Sequence, residues 1–371
     1  MKTLFFYGTL RHVPLLESVL GRAADALDFD TAVLPGHAVM AARDGPYPVL
    51  MQADGSEAQG VVVRGLSDGD IARLDYYEGG FDYDLRLLTL SDGTQADVYM
   101  PDENVQATPA PWDFDQWVLD WAAMSVAAAQ EVMDGFGTLS RDVIAARFPQ
   151  IRKRAWSRVL AQQGRDGAGV LDGRIEIVAR HRAHTAFYGF DEIRLRHETF
   201  GGGMSDVVDR SVFVSSDAAI VLPYDPVRDR VLLVEQVRMG PIGRHDPVVW
   251  QMEPVAGLID PGETPAQAAH REAREEAGLS LRHLEAAGAC YASPGATTEF
   301  FNLFVGLCDL PDTEARIGGE ASEGEDIRTH VMPFETLLEL AETRRTVNAP
   351  LTLLTYWLAH HRARLRAHEA G

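Results

Sequence analysis

Short apolar runs broken by Gly and Asp open the chain. Residues 3–6, 60–63 and 85–90 are β-rich stretches between turn signals, which predicts a compact α/β or β-barrel unit over about the first hundred residues. The polar, proline-rich stretch 101–111 reads as a boundary. Beyond it the period changes. Trp117, Trp121, Met124 and Ala128 recur every three or four positions, one face of a helix. Gly135 and Gly137 end that helix, and a second starts near Ser140 with Val143, Ile144, Phe148 and Ile151 as its apolar stripe. Glycine-rich residues 164–173 read as another linker, so the helices are expected to form a connector packed on a neighbour. From there strands (174–179, 218–223, 231–236, 301–305) alternate with helices near 265–276 and 350–366. The expected organisation is an α/β multidomain chain without internal repeats: an N-terminal domain over 1–105, a helical connector over 106–173 and a C-terminal domain over 174–371.

Composition narrows the partners. The chain of 371 residues is 46% hydrophobic, ample for more than one core. No apolar run approaches the ~18 residues of a membrane span. The opening MKTLFFYGTL is interrupted by Tyr-Gly-Thr and lacks a small-residue cleavage site, so it reads as a buried first strand of a cytoplasmic protein rather than a signal peptide. The two cysteines, Cys290 and Cys308, are expected to be reduced and buried; a bridge between neighbouring strands is the alternative. A net charge of −21 argues against nucleic acid and anionic membrane as partners. It does not exclude a phosphate ligand held through a divalent metal and a few arginines.

Such a site is suggested by residues 257–279, GLIDPGETPAQAAHREAREEAGL. Thr264 and Gln267 form a capping box, Pro265 suits the first helical position, and Gly278 stands where a left-handed cap belongs. On the helix between them Glu272, Glu275 and Glu276 fall at i, i+3 and i+4, on one face. Their mutual repulsion is relieved by a hard cation such as Mg²⁺, and Arg271 beside them can orient a carboxylate. Three glutamates alone would equally describe a solvated acidic face. The complete spacing, with Gly257, Glu263 and Arg271 in place, favours function.

This pattern resembles the Nudix box at every defining position. The resemblance implies an α/β/α sandwich with a mixed sheet, and attack of water on phosphorus in a nucleoside diphosphate joined to another group, with Mg²⁺ (or Mn²⁺) as cofactor. The flanking stretches 225–238, 252–259, 293–299 and 323–331 resemble the ADP-ribose pyrophosphatase branch, which implies ADP-ribose or a related nucleoside diphosphate sugar as substrate and a homodimer through this domain. It further implies Glu272, Glu276, Glu325 and the Ala256 carbonyl as metal ligands, Glu275 in support, and Glu323 as general base. Arg210 and Arg238 match phosphate- or ribose-contacting arginines, and Phe187 or Tyr188 an adenine-stacking ring. The alternatives are surface salt bridges for the arginines and core packing for the rings. A related sugar nucleotide or dinucleotide as substrate, and a non-hydrolytic ADP-ribose sensor, are the competing functions.

FYGTLR (6–11) and LDYYEGG (74–80) resemble the γ-glutamylcyclotransferase-like fold, a mixed α/β barrel. The resemblance implies that the loop Tyr7, Gly8, Thr9 and Leu10 cradles a carboxylate and that Glu78 shuttles a proton as a γ-glutamyl compound closes to 5-oxoproline. Tyr47-Pro48-Val49 and Arg86 fit the same pattern. Retention as a ligand-sensing module is the alternative. The two-domain arrangement also looks like bacterial proteins named for tellurite resistance, a phenotype that none of these residues explains.

Overall fold

A computed structural model describes residues 1–78, 83–101, 105–163, 172–312, 317–319 and 324–369. The chain divides into two compact units, one comprising 1–189 with 195–207, the other 190–194 with 208–371. In order, the first carries β1 (Lys2–Phe6), a 3₁₀ turn (Thr9–Arg11), α1 (Val13–Leu20), β2 (Asp28–Ala42), β3 (Pro48–Leu66) and α2 (Asp68–Glu78). It continues with β4 (Tyr83–Thr89), β5 (Gln95–Pro101), β6 (Ala107–Pro111), α3 (Phe114–Asp134), α4 (Arg141–Gln162) and β7 (Ile175–Thr185). The division falls within β8 (Gly189–His197).

Strands β1 to β6 of the first unit form one sheet in the order β4-β5-β1-β3-β2-β6, curled into a half-barrel. Only β1 and β5 run parallel; the other pairs are antiparallel. The strand period of two sorts β1 between two cores. Leu4 and Phe6 pack with the helices, against Leu15 and Leu16 of α1 and Leu74 of α2. Phe5 and Tyr7 pack inside the curl with Leu34, Leu50 and Val98. The second half of the stretch 101–111, read as a boundary, forms β6 on β2. Prolines lack a ladder donor and are tolerated on an edge strand, which is where Pro109 and Pro111 lie.

The two central helices belong to this same core. Asp113 caps α3 by accepting from the Gln116 N–H at 3.0 Å, and Ser140 caps α4 by accepting from Val143 at 3.4 Å. Trp117, Met124, Ala128 and Val132 of α3 and Ile144, Ile151 and Ala155 of α4 are buried beside Leu4 and Leu16. A buried ion network ties α3, α4 and β7 together. Glu131 accepts from Arg154 Nε at 3.0 Å and Thr185 Oγ1 at 2.9 Å, and Arg182 Nη1 lies 2.6 Å away.

The second unit carries β9 (Val208–Val214), β10 (Ala218–Asp225), β11 (Arg230–Val237), α5 (Met239–Arg244), β12 (Trp250–Glu253), β13 (Val255–Leu258) and α6 (Pro265–Ala277). Then follow β14 (His283–Tyr291), β15 (Phe300–Leu307), β16 (Ile317–Gly318), β17 (Ile327–Pro333), α7 (Phe334–Glu342) and α8 (Ala349–Glu369). Its sheet runs β14-β15-β10-β11-β17-β16, with β12 on β11 and β13 on β10. Because β10 is parallel to β15 and antiparallel to β11, the sheet is mixed, as expected. Every residue of β10 is buried, as a strand covered on both faces requires. Ile220, Leu222 and Tyr224 meet Leu351, Leu354 and Leu358 of α8 and Phe334 of α7, while α6 packs on β10 and β13. These layers make the expected α/β/α sandwich.

Candidate active site

The helix α6 is built from local signals. Thr264 Oγ1 accepts from the Gln267 N–H at 3.3 Å, and the Gln267 side chain accepts from the Thr264 N–H at 2.8 Å. Pro265 starts the helix and Gly278, at φ +66°, ends it. Its inner face is alanine, at positions 268, 269, 273 and 277, so the helix lies close to the sheet with Glu276 buried among them. There the Ala256 N–H donates to Glu276 Oε2 at 3.2 Å. Glu272 lies against the next residue of β13. A Cβ on Gly257 would stand 1.9 Å from Glu272 Oε1, so this carboxylate position requires glycine.

The three glutamates do not share one face equally. Each helical residue advances about 100°, which sets Glu275 about that far around the axis from Glu276. Its side chain is 45% exposed against 12% for Glu272. Arg271 spans the cluster. Its Nε and Nη2 donate to the two oxygens of Glu263 at 2.9 and 2.8 Å, and Nη2 also to the Leu258 carbonyl at 3.0 Å. Nη1 donates to Glu272, and to Glu275 at 3.2 Å. The hydrogen bonds to Glu263 contribute most to raising its pKa. Burial raises the Glu272 carboxyl to about 7 against the pull of Arg271, and pushes Glu276 well up, with Glu272 adding to the effect.

Glu325 contributes negative charge at both Glu272 and Glu276. Strand β16 is docked on α6 through Gly318, where a Cβ would come within 2.3 Å of the Glu276 carbonyl oxygen. Arg238, at the end of β11, feels Glu276 and Glu325, but its Nε donates to Glu253 Oε2 at 2.7 Å. Asn348 holds the other oxygen of Glu253 at 3.0 Å. Burial lowers the Arg238 pKa, and its carboxylate neighbours, Glu253 foremost, more than restore it. Glu299 is pushed up by burial despite Arg238. Neither Glu253 nor Glu299 is assigned a role by sequence reasoning, although both stand in the flanking stretches that carry the resemblance. Arg210 is exposed on β9 and donates to the Asp209 carbonyl at 2.8 Å. Phe187 and Tyr188 belong to the first unit, edge to face at 4.8 Å. Glu323 lies outside the described residues.

The first unit holds a separate pocket of about 150 Å³. Tyr7, Gly8, Thr9, Leu10 and Glu78 all line it, and so do Tyr47 and Pro48. The exposed Arg86 is not among its lining residues. The Gly8 loop abuts the 47–48 turn, since a Cβ on Gly8 would come 2.6 Å from Pro48 Cγ. Tyr7 donates to the Tyr99 carbonyl at 2.9 Å, Tyr83 to the Pro48 carbonyl at 3.0 Å, and Tyr99 to Asp75 at 2.8 Å. These hydroxyls are thus engaged by the framework. Burial alone lifts the Glu78 carboxyl to about 7. Sequence reasoning missed the far wall, which is Trp117, Met124 and Ser125 of α3 with Phe148 and Arg152 of α4.

Known proteins match both units. Residues 215–353 match the NUDIX domain model, and residues 4–119 match the model for gamma-glutamyl cyclotransferase, AIG2-like. A protein of Escherichia coli K12 named ADP-ribose pyrophosphatase is 40% identical over 190 residues, which cover 51% of this chain and 90% of that one. The chain belongs to the Nudix family. An ADP-ribose pyrophosphatase of Haemophilus influenzae is 34% identical over 196 residues, covering 52% of this chain and 89% of its own. A GDP-mannose pyrophosphatase of Enterobacter sp. is 28% identical over 149 residues, 40% and 76% of the two chains.

Nudix hydrolases generally need a divalent metal. Among the described residues no three His, Cys, Asp or Glu side chains stand in a ready metal-holding group, and Arg271 lies between Glu272 and Glu275. The donor chemistry nevertheless fits a hard cation. Burial makes Glu272 and Glu276 resist ionisation, Glu276 further because of Glu272, and Glu325 adds a third negative charge. A divalent ion relieves that repulsion with the oxygen ligands it prefers.

Proposed function

We propose that the second unit hydrolyses the pyrophosphate of ADP-ribose to AMP and ribose 5-phosphate with Mg²⁺. The observation that carries this is the pair of Glu272, largely buried, and Glu276, fully buried, pressed against Ala256 and Gly257. The substrate is supported by the two ADP-ribose pyrophosphatases, which are more similar to this chain than the GDP-mannose pyrophosphatase. Glu272, Glu276, Glu325 and the Ala256 carbonyl would hold the ion, for which Mn²⁺ is an acceptable substitute in an oxygen-only set. When bound, it neutralises phosphate charge and activates water. Arg271 fixes Glu272 and Glu275, and Arg238, steadied by Glu253, turns a cation toward the diphosphate. Glu323 accepts the proton of the attacking water; oxygen adds to phosphorus as the bridging P–O bond breaks. Arg210 contacts phosphate or ribose.

The working form is proposed to be a cytoplasmic homodimer. Ile175, Ile177 and Val178 of β7, each more than half exposed, supply apolar surface for self-association, and two unpaired cysteines suit a reducing compartment. Release of AMP from ADP-ribose with Mg²⁺, compared among wild type, Glu276→Gln and Glu323→Gln, tests the assignment. The expected result is metal-dependent AMP formation, abolished in the first variant and strongly slowed in the second. Turnover of GDP-mannose in place of ADP-ribose would refute the substrate, and binding without turnover of any nucleotide would make the unit a sensor.

For the first unit the pocket favours catalysis. Glu78, poised near neutrality among framework-tied tyrosines, suits a proton shuttle. The substrate amine attacks its own γ-carbonyl, a C–N bond forms, the amide C–N bond breaks, and the proton passes through Glu78 to the departing amine.

A further inference from the structure

The buried carboxylate of Glu253 has its two oxygens held from two different elements. Asn348 Nδ2 donates to Oε1 at 3.0 Å, while Arg238 Nε donates to Oε2 at 2.7 Å and Arg238 Nη2 stands 2.6 Å from the same atom. An arginine and a carboxylate commonly pair as a fork on a fork, one donor to each oxygen. Here both donors of Arg238 meet a single oxygen, and Nη1 takes no part in the pair. The other oxygen is taken by Asn348.

Asn348 is itself fixed. It is the N-cap of α8: its Oδ1 accepts from the Leu351 N–H at 2.9 Å, and its backbone carbonyl accepts from the Thr352 hydroxyl at 3.0 Å. Leu351, Leu354 and Leu358 seat that helix in the core of the second unit. One amide thus caps a helix with its oxygen and orients a carboxylate with its nitrogen. The orientation needs such a partner, because the terminal torsion of a glutamate is broad and sets no angle of its own.

We propose that Asn348 is a positioning residue of the hydrolytic site: by holding Oε1 it pins Arg238 to Oε2, and so sets the direction in which the guanidinium faces the substrate diphosphate. This rests on the pyrophosphohydrolase reading of that site. Glu253 lies three residues before Ala256, a separation of at most about 11 Å, and the Ala256 N–H is bound by Glu276. Arg238, in contact with Glu253, therefore stands beside the carboxylate pair, and its charge acts on both Glu276 and Glu299. Without Asn348 the Glu253 carboxylate turns until both oxygens face the guanidinium. The guanidinium then slides toward the midline of the carboxylate, and a displacement of about 1 Å in a substrate-positioning group is felt at the reacting centre.

The test measures AMP release from ADP-ribose with Mg²⁺ in the full-length protein, its Asn348→Ser, Asn348→Ala and Arg238→Ala variants, and the double variant of Asn348→Ser with Arg238→Ala. Serine keeps the helix cap, but its shorter hydroxyl does not reach Glu253; alanine loses both. KM should rise about tenfold in Asn348→Ser and Asn348→Ala alike, with kcat little changed, whereas the thermal midpoint should fall only in Asn348→Ala. Added to Arg238→Ala, Asn348→Ser should raise KM no further. A wild-type KM in Asn348→Ser would overturn the proposal and reduce Asn348 to a helix cap. Effects that multiply in the double variant would also overturn it, since Asn348 would then act by another route. If ADP-ribose is bound but not cleaved, calorimetry on the same variants decides. Affinity lost in Asn348→Ser, and no further than in Arg238→Ala for the double variant, would uphold the positioning and refute the hydrolysis. No binding by the wild type would overturn both.

Discussion

Replacing Glu78 by Gln should stabilise the first unit at alkaline pH and leave it unchanged in acid. The folded carboxyl titrates at about 7 because burial opposes its charge, against 4.5 for the ordinary group. That difference is worth about 3.4 kcal/mol, which the partial exposure of Glu78 trims to about 2–3 kcal/mol. Below pH 4.5 the folded and unfolded chains both carry the proton, and the wild type suffers nothing. As pH rises from 4.5 to 7 the unfolded chain releases its proton first, so wild-type stability falls. Above 7 both forms are ionised and the full deficit remains. Glutamine does not titrate, so the advantage of the variant should open from near zero at about pH 4 to about 2–3 kcal/mol at about pH 8.5. Urea unfolding followed by tryptophan fluorescence is the assay. Four of the six tryptophans (112, 117, 121 and 156) lie in the first unit and report on it preferentially. A difference flat with pH, or one that closes as pH rises, would refute burial as the origin of the shift.

Other substitutions probe other links. Glu131→Ala leaves Arg154 and Arg182 buried without their shared carboxylate and should cost about 3–5 kcal/mol in urea unfolding. Gly257→Ala drives a methyl group into Glu272 and should lower kcat for pyrophosphate hydrolysis about a hundredfold, with the circular dichroism spectrum unchanged. Thr264→Ala removes one half of the capping box and should lower the stability of the second unit by about 1 kcal/mol, read from the thermal midpoint.

What the sequence discloses follows from how local each determinant is. The helix α6 is legible because its cap, first-turn proline and terminal glycine all lie within fifteen residues, Thr264 to Gly278. Tyr7 to Leu10 and Glu78 are legible for the same reason, as short contiguous motifs. Arg152 is not, because its place in the pocket depends on α4 packing into the core of α1 and α3, and its own stretch reads only as an amphipathic helix. The Arg238–Glu253 pair is set by the register of β11 on β12, which puts Val234 opposite Glu253 and cannot be counted along the chain. Strand β6 is hidden by prolines that only an edge position accommodates.

The two sites show one perturbation resolved in two ways. Burial raises Glu78 and Glu272 alike to about 7. At Glu78 burial acts by itself, among tyrosines whose own burial keeps them neutral, so the least costly response is to hold a proton and exchange it near neutral pH. At Glu272 the neighbours are carboxylates, Glu275 and Glu325, with Glu276 raised in turn by Glu272, set against a guanidinium already shared with Glu263. A single proton leaves most of that charge unbalanced, whereas a divalent ion answers it with oxygen ligands already at hand. Depth alone therefore does not assign a buried glutamate to acid–base or metal chemistry; the charge of what surrounds it does. Glu276→Gln and Glu78→Gln should separate the two accordingly, the first abolishing metal-dependent AMP release with 5-oxoproline formation intact, the second the reverse.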